Sequence, residues 1–131
     1  MSRDPLEVLE ERRRLLVARD MEGFAELFAD DAVIEAPFAA AGPMPARLEG
    51  KAAIRAFSTE FHENPLEIDD LRVHRVHRTE DPEVVIVELS SVGHLATTGE
   101  AFEVPCIQVF RIRDGRIVLF RDYAGTGGLP G

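Results

Sequence analysis

From Asp69 onward the apolar residues return at every second position, and this change of period constrains the chain more than any other feature of it. Alternation marks strands that are buried on one face and open on the other. Strands are expected near 71–78, 83–95, 100–113 and 116–123. Asp114-Gly115 joins the last pair, because that dipeptide accepts the positive φ values of a tight hairpin turn. Thr98-Gly99 and Asp81-Pro82 separate the earlier strands.

The first half reads differently. Asp4-Pro5-Leu6-Glu7 is a helix start: Asp4 caps free N–H groups, Pro5 suits the first helical position and Glu7 closes a capping box. A helix is expected from there to about Arg19, with Val8, Leu9, Leu15 and Leu16 as its apolar stripe and Arg12 and Arg13 on or beside it. Asp20 caps a second, short helix carrying Phe24, Leu27 and Phe28. A strand follows over Ala32–Ala36, then a loop from Pro37 to Glu49, then a third helix from Gly50 to His62. Helices early and an antiparallel meander late predict an α+β fold, one face of a curved sheet being covered by three N-terminal helices. Residues 1–124 are expected to form a single domain and 125–131 a glycine-rich tail.

With 131 residues there is room for one core, and 24 acids against 15 bases give a formal charge of −9. That balance repels phosphate backbones and anionic lipid surfaces, so nucleic acid and membranes are not expected partners. No run approaches the roughly 20 apolar residues of a membrane span. A cytoplasmic location is the expectation, and Cys106, the single cysteine, is expected to be a buried thiol. His74 and His77 fall on opposite faces of one strand, so no metal site is predicted.

Polar residues that interrupt apolar strands are the candidates for chemistry. Alternation aligns Asp122 with Val118 and Phe120, and Gln108 with Val104, Cys106 and Phe110. The same count sets Glu88 with Val84, Ile86 and Ser90. If these faces line a concave interior, two carboxylates and an amide meet in an apolar cup, where desolvation raises a carboxyl pKa toward the range of proton transfer. Arg12 either reaches into the cup as a counter-ion to Asp122 or to an anionic ligand, or snorkels from the helix edge.

Three segments, Asp20–Val33, Leu48–Arg55 and Asp114–Ile117 leading into Arg121-Asp122-Tyr123, resemble the NTF2-like superfamily, in particular its SnoaL-like branch of polyketide cyclases, ketosteroid isomerases and limonene-epoxide hydrolases. The resemblance implies a cone-shaped barrel with one deep apolar pocket, as a homodimer, and makes Glu88, Gln108 and Asp122 pocket-facing. It also shows departures. Ala36 stands where the steroid isomerases carry their general-base aspartate, Arg12 where they carry the oxyanion-hole tyrosine, and Gln108 where they carry a second aspartate. Asp122 matches the final-strand aspartate of the epoxide hydrolases, whereas Glu88-Leu89-Ser90 replaces their Arg-x-Asp pair.

The expectation is an enzyme needing no cofactor that performs acid/base chemistry, of isomerase, cyclase or hydratase type, on a small hydrophobic oxygenated metabolite. Asp122 is the expected general base or acid, Glu88 its partner and Gln108 a donor to an oxyanion. Arg12, Ala36, Phe38, Phe110 and Phe120 are expected to bind substrate, with Phe38 and Met44 covering the mouth. The alternative is a non-catalytic ligand-binding or dimerisation module of the same fold. A protein-docking domain is disfavoured by Arg72, Arg75 and Arg78, which mark a solvated sheet surface.

Overall fold

The computed structural model describes residues 4–38, 45–62 and 65–124, with the side chains of residues 61 and 62 excepted, so the expectations for Met44, the His62 side chain and the glycine-rich tail lie outside the described residues. Helix α1 spans Pro5–Val17, α2 Met21–Glu26 and α3 Lys51–His62; the strands are β1 Phe28–Glu35, β2 Arg47–Glu49, β3 Leu66–Arg78, β4 Val84–Leu95, β5 Ala101–Arg113 and β6 Arg116–Ala124. The six strands form one sheet in the order β2-β1-β6-β5-β4-β3. All neighbours are antiparallel except β1 and β6. Among the described residues no helix is long and apolar enough to cross a membrane.

The start of α1 follows from its sequence. Asp4 accepts the Leu6 N–H at 2.8 Å, and Glu7 accepts the Asp4 N–H at 3.2 Å. The buried stripe of this helix is Val8, Leu9, Arg12 and Leu15. Asp20 caps α2 by accepting the Gly23 N–H at 2.9 Å. The Asp114-Gly115 turn is formed as expected, with φ of 53° and 75°.

Several boundaries differ from the sequence reading, among them the start of β3, at Leu66 instead of near residue 71. Phe28 opens β1 instead of ending a helix. It lies opposite Ile117 in the parallel register and packs edge-on against Phe24, ring centroids 5.3 Å apart, so burial in the sheet overrides its helical spacing. Inside the expected loop, Arg47–Glu49 pairs with β1, and Arg47 forms an ion pair with Glu35 at 2.9 Å.

Irregularities in register bend the sheet, at Ile68/Asp70 and Val73/Arg75 in β3 and at Arg111/Ile112 against β6. The last one corrects the alternation in β6. Ile117 pairs with Ile112 and is fully buried, while Val118 is left between register pairs and half-buried; it is Ile117, not Val118, that joins Phe120 on the inner face. Val85, Val87 and Leu89 of β4, Phe102, Val104 and Phe110 of β5 and the α1 stripe complete the core.

Gly93 is required where β3 bends. A Cβ on it would lie 2.0 Å from the Glu67 carbonyl oxygen and 2.7 Å from Phe102 Cζ. A backbone atom cannot swing aside as a side chain does, so Gly93→Ala is expected to lower the unfolding free energy by about 2 kcal/mol. Urea denaturation checks this; an unchanged midpoint would show that the bend is not held by this close approach.

Candidate functional site

Three polar side chains meet on the inner face of the sheet, and each arrives by a different rule. Gln108 is set inward by strict alternation in β5, where every second residue from Phe102 to Ile112 is buried. Asp122 lies opposite Gln108 in the β5–β6 register and so shares its face. Arg12 comes from the apolar stripe of α1, and its side chain is 3% exposed. It therefore reaches inward, and the snorkelling geometry is excluded. Burial of this arginine is the least expected feature of the chain.

A hydrogen-bonded line connects the three. Arg12 Nη1 donates to Gln108 Oε1 at 2.7 Å, and Gln108 Nε2 donates to Asp122 Oδ1 at 3.3 Å. The amide is thus oriented by its neighbours: its oxygen must face the guanidinium and its nitrogen the carboxylate. Gln108 consequently serves as a link that holds a cation and an anion apart.

Aromatic rings lie against the guanidinium. Phe110 and Phe120 stack with centroids 4.7 Å apart and planes 10° from parallel. The Arg12 guanidinium carbon lies 4.6 Å from the Phe110 centroid and 5.6 Å from that of Phe120. These ring faces partly compensate the buried cation. Its Nε has no hydrogen-bond partner.

The electrostatics follow from this enclosure. Burial pulls the Arg12 guanidinium down to about 10, with the charge of Asp122 opposing that shift. Burial also raises the Asp122 carboxyl above the ordinary aspartate range, against the hydrogen bond from Gln108 and the attraction of Arg12. The Cys106 thiol is pushed up to about 11 by burial and then by Asp122, so it remains protonated and inert at neutral pH.

Glu88 does not join them. It pairs with Ile107, whose side chain is exposed, whereas its neighbour Val87 pairs with Gln108. The true inward residues of β4 are Val85, Val87 and Leu89; the count that grouped Glu88 with the inner side was offset by one position. On the outer face Glu88 Oε2 lies 2.6 Å from His77 Nε2, and this contact holds its carboxyl below the usual range.

Phe38 is likewise misplaced by the sequence reading. It is 63% exposed and rests edge-on against Tyr123, centroids 5.5 Å apart. Tyr123 pairs with Ile107, on the face opposite Asp122, so Phe38 does not cover the site. Ala36 is buried, its N–H donating to Ala46 O at 2.9 Å. It follows Glu35, the partner of Arg121, and so stands beside Asp122 on the inner side. A methyl group there contributes a wall and no proton acceptor.

Other polar clusters went unnoticed in the sequence because they are assembled across strands. Glu83 accepts from Arg111 and Arg113 at 2.9 Å each, which brings its carboxyl down to about 2. His94 lies between Asp69 at 2.8 Å and Glu67 at 2.9 Å, and both carboxylates raise its pKa. Among the described residues no group of three or more His, Cys, Asp or Glu side chains is arranged to hold a metal ion.

Residues 9–120 match the SnoaL-like domain. The chain is 35% identical to the uncharacterized protein YesE of Bacillus subtilis (strain 168) over 117 residues, which cover 89% of this chain and 78% of that one. The crystal structure of a putative isomerase from Bacillus subtilis superposes with a TM-score of 0.84 at 33% identity, covering 93% of this chain and 86% of the other. At 22% identity, RV0760c from Mycobacterium tuberculosis in complex with estradiol-17beta-hemisuccinate shares the fold, with a TM-score of 0.78 and coverage of 96% and 97%. The bent six-stranded sheet, its three helices and a family match that runs from α1 into β6 agree: this chain belongs to the SnoaL-like family of the NTF2-like superfamily.

Proposed function

We propose that this protein is an acid/base enzyme acting on a small hydrophobic carbonyl compound, with Asp122 as the proton acceptor and Arg12 as the group that holds the carbonyl oxygen. The observation that carries this reading is the line Arg12–Gln108–Asp122, which fixes a buried cation and a desolvated carboxylate at the two ends of one amide.

A substrate oxygen at Arg12 brings a neighbouring C–H toward Asp122. The proton passes from carbon to a carboxylate oxygen, and the electron pair moves onto the carbonyl oxygen. Negative charge thereby leaves Asp122 and appears opposite the guanidinium, so the net charge of the site is unchanged. Return of the proton to a different carbon of a conjugated enolate completes an isomerisation; attack of the enolate carbon on a second carbonyl closes a ring, the carbonyl π bond opening to an alkoxide that takes the proton back from Asp122. Burial assists both halves, since it makes Asp122 a stronger base than an exposed aspartate and strengthens the field of Arg12. No cofactor enters these steps. The hydrophobic-ligand reading is supported by the stacked Phe110 and Phe120 and by the steroid ester bound to RV0760c. A second copy of the chain is proposed to pair through the β5–β6 part of the outer sheet face, where Ile107 and Phe38 remain exposed, and not through β3 with its arginines.

The test is solvent-deuterium exchange, followed by NMR, in a panel of apolar cyclic and aryl ketones. The protein is expected to accelerate exchange at carbons next to the carbonyl for at least one member. Rates equal to those in buffer across the panel would count against the enzymatic reading and favour a binding module of the same fold.

A further inference from the structure

We infer that the site takes ligands bearing an acidic oxygen, above all aromatic carboxylic acids, whose carboxylate docks on Arg12 while one proton from solvent is taken up by Asp122. This deepens the reading above and rests on its placement of these two residues.

The first ground is the incomplete set of partners around Arg12. Its side chain is almost fully buried and its Nε–H meets no acceptor, while the hydrogen bond it does make goes to the neutral oxygen of Gln108. A guanidinium presents its donors in a planar fork suited to the two oxygens of a carboxylate. The second ground is the wall material. Arg12 lies over Phe110, which stacks on Phe120, so a flat apolar body attached to the acid continues an existing stack.

The third ground is charge balance. Without ligand the site holds one cation and one carboxylate, separated by Gln108. A second carboxylate arriving at Arg12 would be a like charge beside Asp122, so it binds best when Asp122 is neutral. The facing ionisable groups leave Asp122 as the acceptor of that proton: Arg12 on α1 is already protonated, and the Cys106 thiol on β5 already carries its own. Arg121 on β6 points to the other face, where it donates to Glu35 of β1 at 3.0 Å. Ligand carboxylate plus Asp122 carboxylate plus one proton gives a bound carboxylate and a protonated Asp122. This is the same distribution of charge that proton abstraction from a ketone produces, reached here at equilibrium.

Calorimetric titration with 1-naphthoate and with the uncharged 1-naphthamide, at neutral pH in buffers of different ionisation enthalpy, tests the inference. Naphthoate is expected to bind at least about tenfold more tightly than the amide, because it gains charge-assisted hydrogen bonds. Its binding should take up close to one proton. Asp122→Asn is expected to keep naphthoate binding and abolish the uptake, and Arg12→Met to remove the preference for the acid. Equal affinities for acid and amide, no detectable naphthoate binding, or binding without proton uptake would overturn it. Turnover is not read, so proton-linked acid binding by a protein that exchanges no ketone would sink the enzymatic proposal alone, and ketone exchange without acid binding would sink this one alone.

Discussion

Asp122→Asn is expected to lower turnover at least about a hundredfold and, in the same protein, to raise thermal stability at neutral pH. The two effects have one cause. Burial outweighs the Gln108 hydrogen bond and the Arg12 charge, so the folded carboxyl holds its proton more tightly than an exposed aspartate does. A carboxyl pKa raised by folding contributes stability below the unfolded value, near 3.9, and that contribution is lost as pH rises through the folded value. At neutral pH the ionised group is therefore a cost, which unfolding relieves. Asparagine keeps the shape and can still accept the Gln108 N–H, but carries no charge and cannot take a proton. The melting temperature of the variant should exceed that of the wild type near pH 7, and the difference should vanish near pH 3. A variant that is less stable at neutral pH would show that attraction to Arg12 dominates at this position, and turnover within a few fold of wild type would remove Asp122 from the mechanism.

The parts of the site that were legible in the sequence are those that depend on strand period alone. Gln108 sits in a β5 that alternates without interruption, and Asp122 lies beyond the irregularity in β6, where counting back to Phe120 still holds. Counting failed where it crossed a defect or began at the wrong residue. Val118 exchanged places with Ile117 at the bulge, and a one-residue offset in β4 turned Glu88 from an outward hydrogen-bond partner of His77 into an apparent interior acid. Period cannot see such offsets, because a slip of one residue inverts every side chain in the strand. Arg12 illustrates a different limit. Its position on the buried stripe was readable, but arginine on a stripe ordinarily turns outward along its alkyl stem. What decided the direction was a neutral acceptor and two stacked rings on strands nearly a hundred residues away, and nothing local to α1 encodes those.

Truncating that arginine is expected to be costly, and replacing it with an apolar side chain of similar length less so. Arg12→Ala leaves a void over Phe110 and deprives Gln108 Oε1 of its donor in a buried setting, for an expected loss of about 2–4 kcal/mol. Arg12→Met fills most of the same space, and it also removes a charge whose desolvation already draws its pKa down to about 10. It also leaves Gln108 Oε1 without a donor and Asp122 without its counter-charge, as alanine does, so in urea denaturation this variant should regain only the packing part of the alanine loss. The contrast separates packing from charge. If methionine folds well, the guanidinium is not there for the fold, and its unpartnered Nε is a donor held ready for a ligand oxygen. If methionine destabilises as much as alanine does, the hydrogen bond to Gln108 is itself a structural tie, and the case for Arg12 as the oxygen-holding group fails.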